Sequence, residues 1–204
     1  MLPDSIETGR LKLRVARPED ADALFALFNN WQVIKWLSAP EWPPTLERTR
    51  AFIEKCAVEG PDFEEHRVIL LEGAPVGGIG WRNRPAGPNQ SEAGPNIGFW
   101  LGEAHWGQGI MSEGAEGLVA ALFAASPIPA IHSGVIAGNE ASLRIQEKLG
   151  FEITGRGTIF SNPLQREMPL ISTRVTRAGF ATRKGGRSAP LRGGTGDPDT
   201  AIQT

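Results

Sequence analysis

The residues best placed to do chemistry are Trp106-Gly107-Gln108-Gly109-Ile110-Met111-Ser112-Glu113. Two glycines stand one residue apart where an extended run (96–101) gives way to a helical one (114–125). Glycine turns tightly and lets a ligand approach the main chain. The first amides of a helix have no internal partner and carry the positive end of its dipole. Together they make a seat for phosphate oxygens. The dinucleotide fingerprint does not fit. Ile110-Met111-Ser112 breaks its glycine spacing, and Ala130-Ile131-His132-Ser133 offers no acid about twenty positions on. A phosphate loop of the Gly-Lys-Ser/Thr kind is absent as well.

A second segment narrows the choice. Asn139-Glu140-Ala141-Ser142-Leu143-Arg144-Ile145-Gln146-Glu147-Lys148-Leu149-Gly150-Phe151 follows the apolar run 131–136. Asn139 is a good N-cap, Leu143, Ile145 and Leu149 give an apolar face, and Gly150 ends the helix. The pair of segments resembles the GNAT superfamily of acyl-CoA-dependent N-acetyltransferases. Its pyrophosphate loop reads Gln/Arg-x-x-Gly-x-Gly/Ala, and its later helix reads Asn-x-x-Ser/Ala…Glu-Lys-x-Gly-Phe. Ile97-Gly98-Phe99-Trp100-Leu101 resembles the branch of ribosomal-protein N-terminal acetyltransferases. The similarity runs from about Glu7 to about Arg174. The chain departs from the pattern at four places. Trp106 opens the loop, Met111 closes it, Asn96 replaces a frequent Glu, and Gln146 stands where many members place a Tyr acid. The chain has no Tyr at all.

The resemblance implies an α/β fold with a mixed, mostly antiparallel sheet of six or seven strands, flanked by about four helices. The fourth and fifth strands splay to admit pantetheine. It implies acetyl-CoA as cosubstrate, with Leu101, Trp106, Gly107, Gln108, Gly109, Ile110, Met111, Ser112, Asn139 and Ser142 around it. Amide formation needs a neutral amine, a donor for the thioester oxygen and a partner for the departing thiolate. Main-chain groups near Leu101 are expected at the oxyanion, Ser142 at the thiolate and Glu103 as the base. Glu92 is an alternative base in a loop, and Glu113 is read as complementing the helix dipole. Gln146 can orient a water. Arg144 and Lys148 either reach the 3′-phosphate or are solvated. Trp31, Trp36 and Trp42 line the acceptor side or pack, and Arg82 and Arg84 can steer a carboxylate or an acidic peptide.

The elements that must hold these residues follow from patterning. Residues 10–15 alternate as a strand with one wet face. Pro18-Glu19-Asp20 opens a helix that buries Ala21, Leu24, Phe25, Leu27 and Phe28. Residues 31–42 are a connection, and Thr45 caps a helix that turns Phe52 and Ile53 inward. A β-hairpin covers 66–81. Residues 84–95 are a mobile loop by composition, and strands cover 151–160 and 167–175.

At 204 residues the chain makes one domain, 1–183, followed by a low-complexity tail (184–204) expected to be disordered. The net charge of -2 argues against nucleic-acid binding. One cysteine, Cys56, permits no internal disulfide. No apolar run reaches the roughly 20 residues of a membrane span. The three histidines show no metal spacing, so no metal is expected. The expected setting is the cytoplasm, as monomer or homodimer. The leading reading is acetyl transfer to a protein N-terminus, such as that of a ribosomal protein given the branch; a small-molecule amine is the alternative acceptor. An acyl-CoA sensor without catalysis is the competing class, and an adaptor acting through the tail a third.

Overall fold

The computed structural model describes residues 2–58 and 64–183. The expected tail at 184–204 lies outside the described residues. The chain runs β1 (Ser5–Glu7), β2 (Leu11–Val15), α1 (Ala21–Phe28), α2 (Trp31–Ile34), α3 (Leu46–Val58), β3 (Glu64–Leu71), β4 (Ala74–Arg84) and β5 (Gly94–Leu101). It continues with α4 (Ile110–Ala125), β6 (Ala130–Ile136), α5 (Glu140–Lys148), β7 (Glu152–Ser161), β8 (Arg166–Thr176) and α6 (Arg177–Thr182). All eight strands form one sheet in the order β1-β2-β3-β4-β5-β6-β8-β7. Among the described strands only β5 and β6 pair in parallel, and they share a single registered pair, Asn96 with His132. These are the strands expected to splay. They rank fifth and sixth because the short strand β1 precedes them.

Among the described residues the sheet therefore has eight strands rather than six or seven, and six α-helices flank it rather than about four. The extra elements are short. β1 spans three residues, α2 four and α6 six, below the length at which periodicity can be read. Caps betray two of them: the Asn30 side chain accepts from the Gln32 amide, and Thr176 accepts from the Gly179 amide.

Alternation builds the walls. Leu11 and Leu13 of β2 are buried on one face while Lys12 is exposed. The α4 face of the sheet packs Ile69, Ile79, Ile97 and Leu101 against Ile110, Ala115, Leu118 and Val119. The opposite face packs Val68 and Leu70 against Leu24 and Ile53 of α1 and α3. In α1 only Ala21 and Leu24 are fully buried. Phe25, Leu27 and Phe28 are half-buried, and Phe28 meets the edge of Trp100. Phe52 of α3 was expected inside but is 50% exposed, because it faces a cleft.

The loop between β4 and β5 is pinned, contrary to its composition. Buried Gln90 donates to the carbonyls of Arg84, Glu92 and Gly94 and accepts from Asn96. Asn89 donates to the Thr158 carbonyl at 2.9 Å. A Gly/Pro-rich sequence can be fixed when one amide side chain gathers its carbonyls.

Candidate active site

The glycine turn forms as the sequence requires. Gly107 and Gly109 have φ of 75° and 74°, a left-handed backbone costing other L-residues roughly 1–2 kcal/mol. A Cβ on Gly107 would meet nothing within 4 Å, and one on Gly109 only the Arg10 guanidinium at 3.7 Å. Backbone conformation, rather than crowding, selects glycine here. Gly109 is the N-cap of α4, and no side chain caps this helix. The amides of Ile110, Met111 and Ser112 thus start the helix without a side-chain acceptor.

A frame of side chains holds the turn. Arg10 donates through both terminal nitrogens to the Gln108 carbonyl, each at 3.3 Å, and through Nε to Glu113 at 2.8 Å. Thr8 Oγ1 donates to Glu113 at 2.6 Å. Burial works against ionisation of Glu113, but the hydrogen bonds from Thr8 and Arg10 prevail and hold its carboxyl below the ordinary value. Glu113 is therefore more than a complement to the helix dipole, because it ties the turn to the β1–β2 connection. The Gln108 side chain donates to the Ala104 carbonyl, and Trp106 Nε1 donates to the Leu101 carbonyl at 2.8 Å. That bond engages one main-chain group at the end of β5. The side chains of Ile110 and Met111 are buried in the core.

Beside this turn lies a cleft of about 1000 Å³. Gly107, Gly109, Met111, Ser112, Leu101, Trp106, Asn139 and Ser142 all line it. The cleft follows the gap between β5 and β6, whose pairing stops at Asn96 and His132. Asn139 Oδ1 accepts from the Ser142 amide at 3.1 Å, so the expected cap is present. Ser142 is half-buried one turn into α5. Arg144 and Lys148 reach the same cleft.

Gln146 departs from its sequence reading. It is 1% exposed. Its Oε1 accepts from Thr173 Oγ1 at 2.5 Å and its Nε2 donates to Ser133 Oγ at 3.0 Å. Ser133 in turn donates to the Ile97 carbonyl at 3.0 Å. These bonds engage both ends of the amide and join α5, β8, β6 and β5 through a buried polar chain.

The far side of the cleft belongs to α3, the 36–45 segment and the sheet face carrying Gly78, Gly80 and Gly98. Trp36 lines it and packs on Gly138. Trp31 and Trp42 instead pack on each other, centroids 5.1 Å apart. Arg48, Arg82 and Arg84 also line the cleft. Burial, then the neighbouring charge of Arg82, disfavours the charged form of Arg84 relative to an exposed arginine.

Glu103 is exposed, accepts a 2.6 Å hydrogen bond from Asn30, and is not among the cleft walls. Glu92 is ion-paired to Arg174 at 2.7 Å. Sequence reasoning missed His66, which lines the cleft from β3 with its ring 4.8 Å from that of Phe52. Its only signal was its place in an alternating strand.

The family profile of the acetyltransferase (GNAT) domain matches residues 10–152. The chain belongs to the GNAT acetyltransferase family. A relative, the uncharacterized N-acetyltransferase YoaA of Bacillus subtilis, is 30% identical over 156 residues, covering 74% of this chain and 84% of the relative. RimJ of Mycobacterium smegmatis, in complex with a CoA disulfide, superposes with a TM-score of 0.70 at 20% identity, covering 86% of this chain and 88% of RimJ. The ribosomal-protein-S5-alanine acetyltransferase of Vibrio fischeri gives 0.69 at 19% identity, covering 84% and 96%. Both likenesses bear on the fold. GNAT enzymes use acetyl-CoA, the cosubstrate expected from the motifs. Among the described residues no group of three or more His, Cys, Asp or Glu is placed to hold a metal ion. No described helix is long and apolar enough to cross a membrane.

Proposed function

We propose that this GNAT acetyltransferase seats the acetyl-CoA pyrophosphate on Gly107–Ser112 and moves acetyl directly to a primary amine, with a protein N-terminus as acceptor. The observation that carries the reading is the left-handed glycine turn opening an uncapped α4 into the cleft that follows the β5–β6 gap. Amides at that helix start suit phosphate oxygens. Asn139 faces the pantetheine, and Ser142 gives its hydroxyl to the departing thiolate. Glu103 lies outside the cleft walls, so any role for it as base runs through water. The ribosomal-protein acetyltransferase among the structural neighbours supports a peptide acceptor. So do three arginines along the far wall, which suit a carboxylate or an acidic peptide.

Calorimetry with coenzyme A and thiol release from acetyl-CoA test the two halves separately. Peptides beginning with alanine or serine should release thiol faster than polyamines or free amino acids. A preference for small amines would move the acceptor to that class. Tight CoA binding with no thiol released for any amine would leave a sensor.

A further inference from the structure

We propose that His66 takes the proton from the acceptor amine, which sits on a row of glycines crossing the sheet. The inference rests on the acetyl transfer proposed above. His66 of β3 is paired with Gly80 of β4, and Gly80 with Gly98 of β5. Asn96 pairs with His132 in parallel, so two residues on, Gly98 faces Gly134 across the gap. Paired residues in neighbouring strands share a sheet face, and all four line the cleft. The row continues to Ser172, where the pinned loop covers it: Ser172 Oγ donates to the Asn89 carbonyl at 2.9 Å. A floor without side chains therefore ends in an imidazole on one side and a closed wall on the other.

The space above each glycine differs. A Cβ on Gly80 would lie 2.7 Å from His66 Nδ1, so the imidazole rests on that bare backbone. A Cβ on Gly134 would lie 3.3 Å from Leu170 Cδ1. A Cβ on Gly98 would meet nothing within 4 Å. The open position is thus Gly98, beside the gap and next to the ring. Adjacent strands lie about 4.8 Å apart, so an amine over Gly98 reaches the imidazole directly or through one water. Phe52 sets the ring edge-on at 67°.

Two other lining groups can accept a proton. Glu41 is ion-paired to Arg48, and His105 sits in the turn that follows β5. Further charged groups lining the cleft with His66 are Arg48 on α3, Arg82 and Arg84 on β4, and Arg144 and Lys148 on α5. Arg67, next in sequence, is buried against Glu65 and alternates to the other face.

The step balances as follows. His66 takes one proton from the ammonium and later returns it to solvent. The neutral nitrogen attacks the thioester carbon, forming C–N. The C–S bond breaks as the tetrahedral intermediate collapses, and its second nitrogen proton goes to the thiolate. The products are the acetamide and the free thiol.

Profiles of kcat/KM against pH, with amines of graded basicity, test this in wild type, H66Q, Gly98→Val and E103Q, with CoA affinity measured alongside. H66Q should lose about a hundredfold in kcat/KM, most for the most basic amine, and change the shape of its pH profile. Its CoA affinity should stay within about twofold. Gly98→Val should raise the acceptor KM about tenfold with CoA affinity intact, a readout that survives if H66Q fails to fold. H66Q with wild-type rate and profile, an unchanged KM in Gly98→Val, or a larger loss in E103Q than in H66Q overturns the assignment. Transfer by wild type alongside any of these removes His66 alone. A wild type that releases no thiol removes the acetyl-transfer reading as well.

Discussion

Gly109 meets two demands, a left-handed φ of 74° and an empty surface toward the cleft. Gly109→Glu should abolish measurable CoA binding, because a carboxylate would repel pyrophosphate where its oxygens seek amides. The far-ultraviolet circular dichroism should keep its shape, and calorimetry should show no heat. Ser142→Ala tests the leaving group: kcat should fall about tenfold while CoA affinity holds, and a fully active variant would reduce Ser142 to packing. At this scale the loop and the Asn139 cap were legible because glycine and asparagine announce backbone geometry locally. His66 was not legible. Its meaning comes from Gly80 and Gly98, 14 and 32 residues further along the chain but brought beside it by the sheet.

Between elements, the chain Thr173–Gln146–Ser133–Ile97 is a side-chain link across the parallel seam. Gln146→Leu keeps the volume but leaves the buried Thr173 hydroxyl without its acceptor. It should cost about 1–3 kcal/mol, read by urea denaturation, and loosen the gap enough to weaken CoA binding. Sequence alone placed Gln146 on a helix but offered no reason to bury it. A polar residue on an amphipathic face is ordinarily wet, and the compensating hydroxyls come from β6 and β8. The same limit hid α2 and α6, whose few residues show no period. The splayed pair was expected only through the family resemblance, which implies which strands part.

For the whole molecule, acid should destabilise the fold through two carboxylates that brace β2 and the glycine turn. Asp20 is 4% exposed. Burial opposes its ionisation, but bonds from Arg14 and the Arg17 amide overcome this and lower its pKa. Glu113 is lowered in the same way. A carboxyl with a depressed folded-state pKa adds stability above its unfolded pKa and loses it as pH falls through the folded value. The denaturation midpoint should therefore drop below the ordinary carboxylate range, and less steeply in Arg14→Ala. That variant should also lose about 3–5 kcal/mol at neutral pH by stranding a buried charge.

With the proposed seat, the lone main-chain rung between Asn96 and His132 would make the cosubstrate a mechanical part of the protein as well as its reagent. Five strands precede the seam in the sheet and three follow, so a pantetheine lying along it would mend a nearly severed fabric. Saturating coenzyme A at a hundred times its Kd should then add about 2.7 kcal/mol of stability. Amide exchange should slow most in β5 and β6, and the empty enzyme should part along that line before it melts anywhere else.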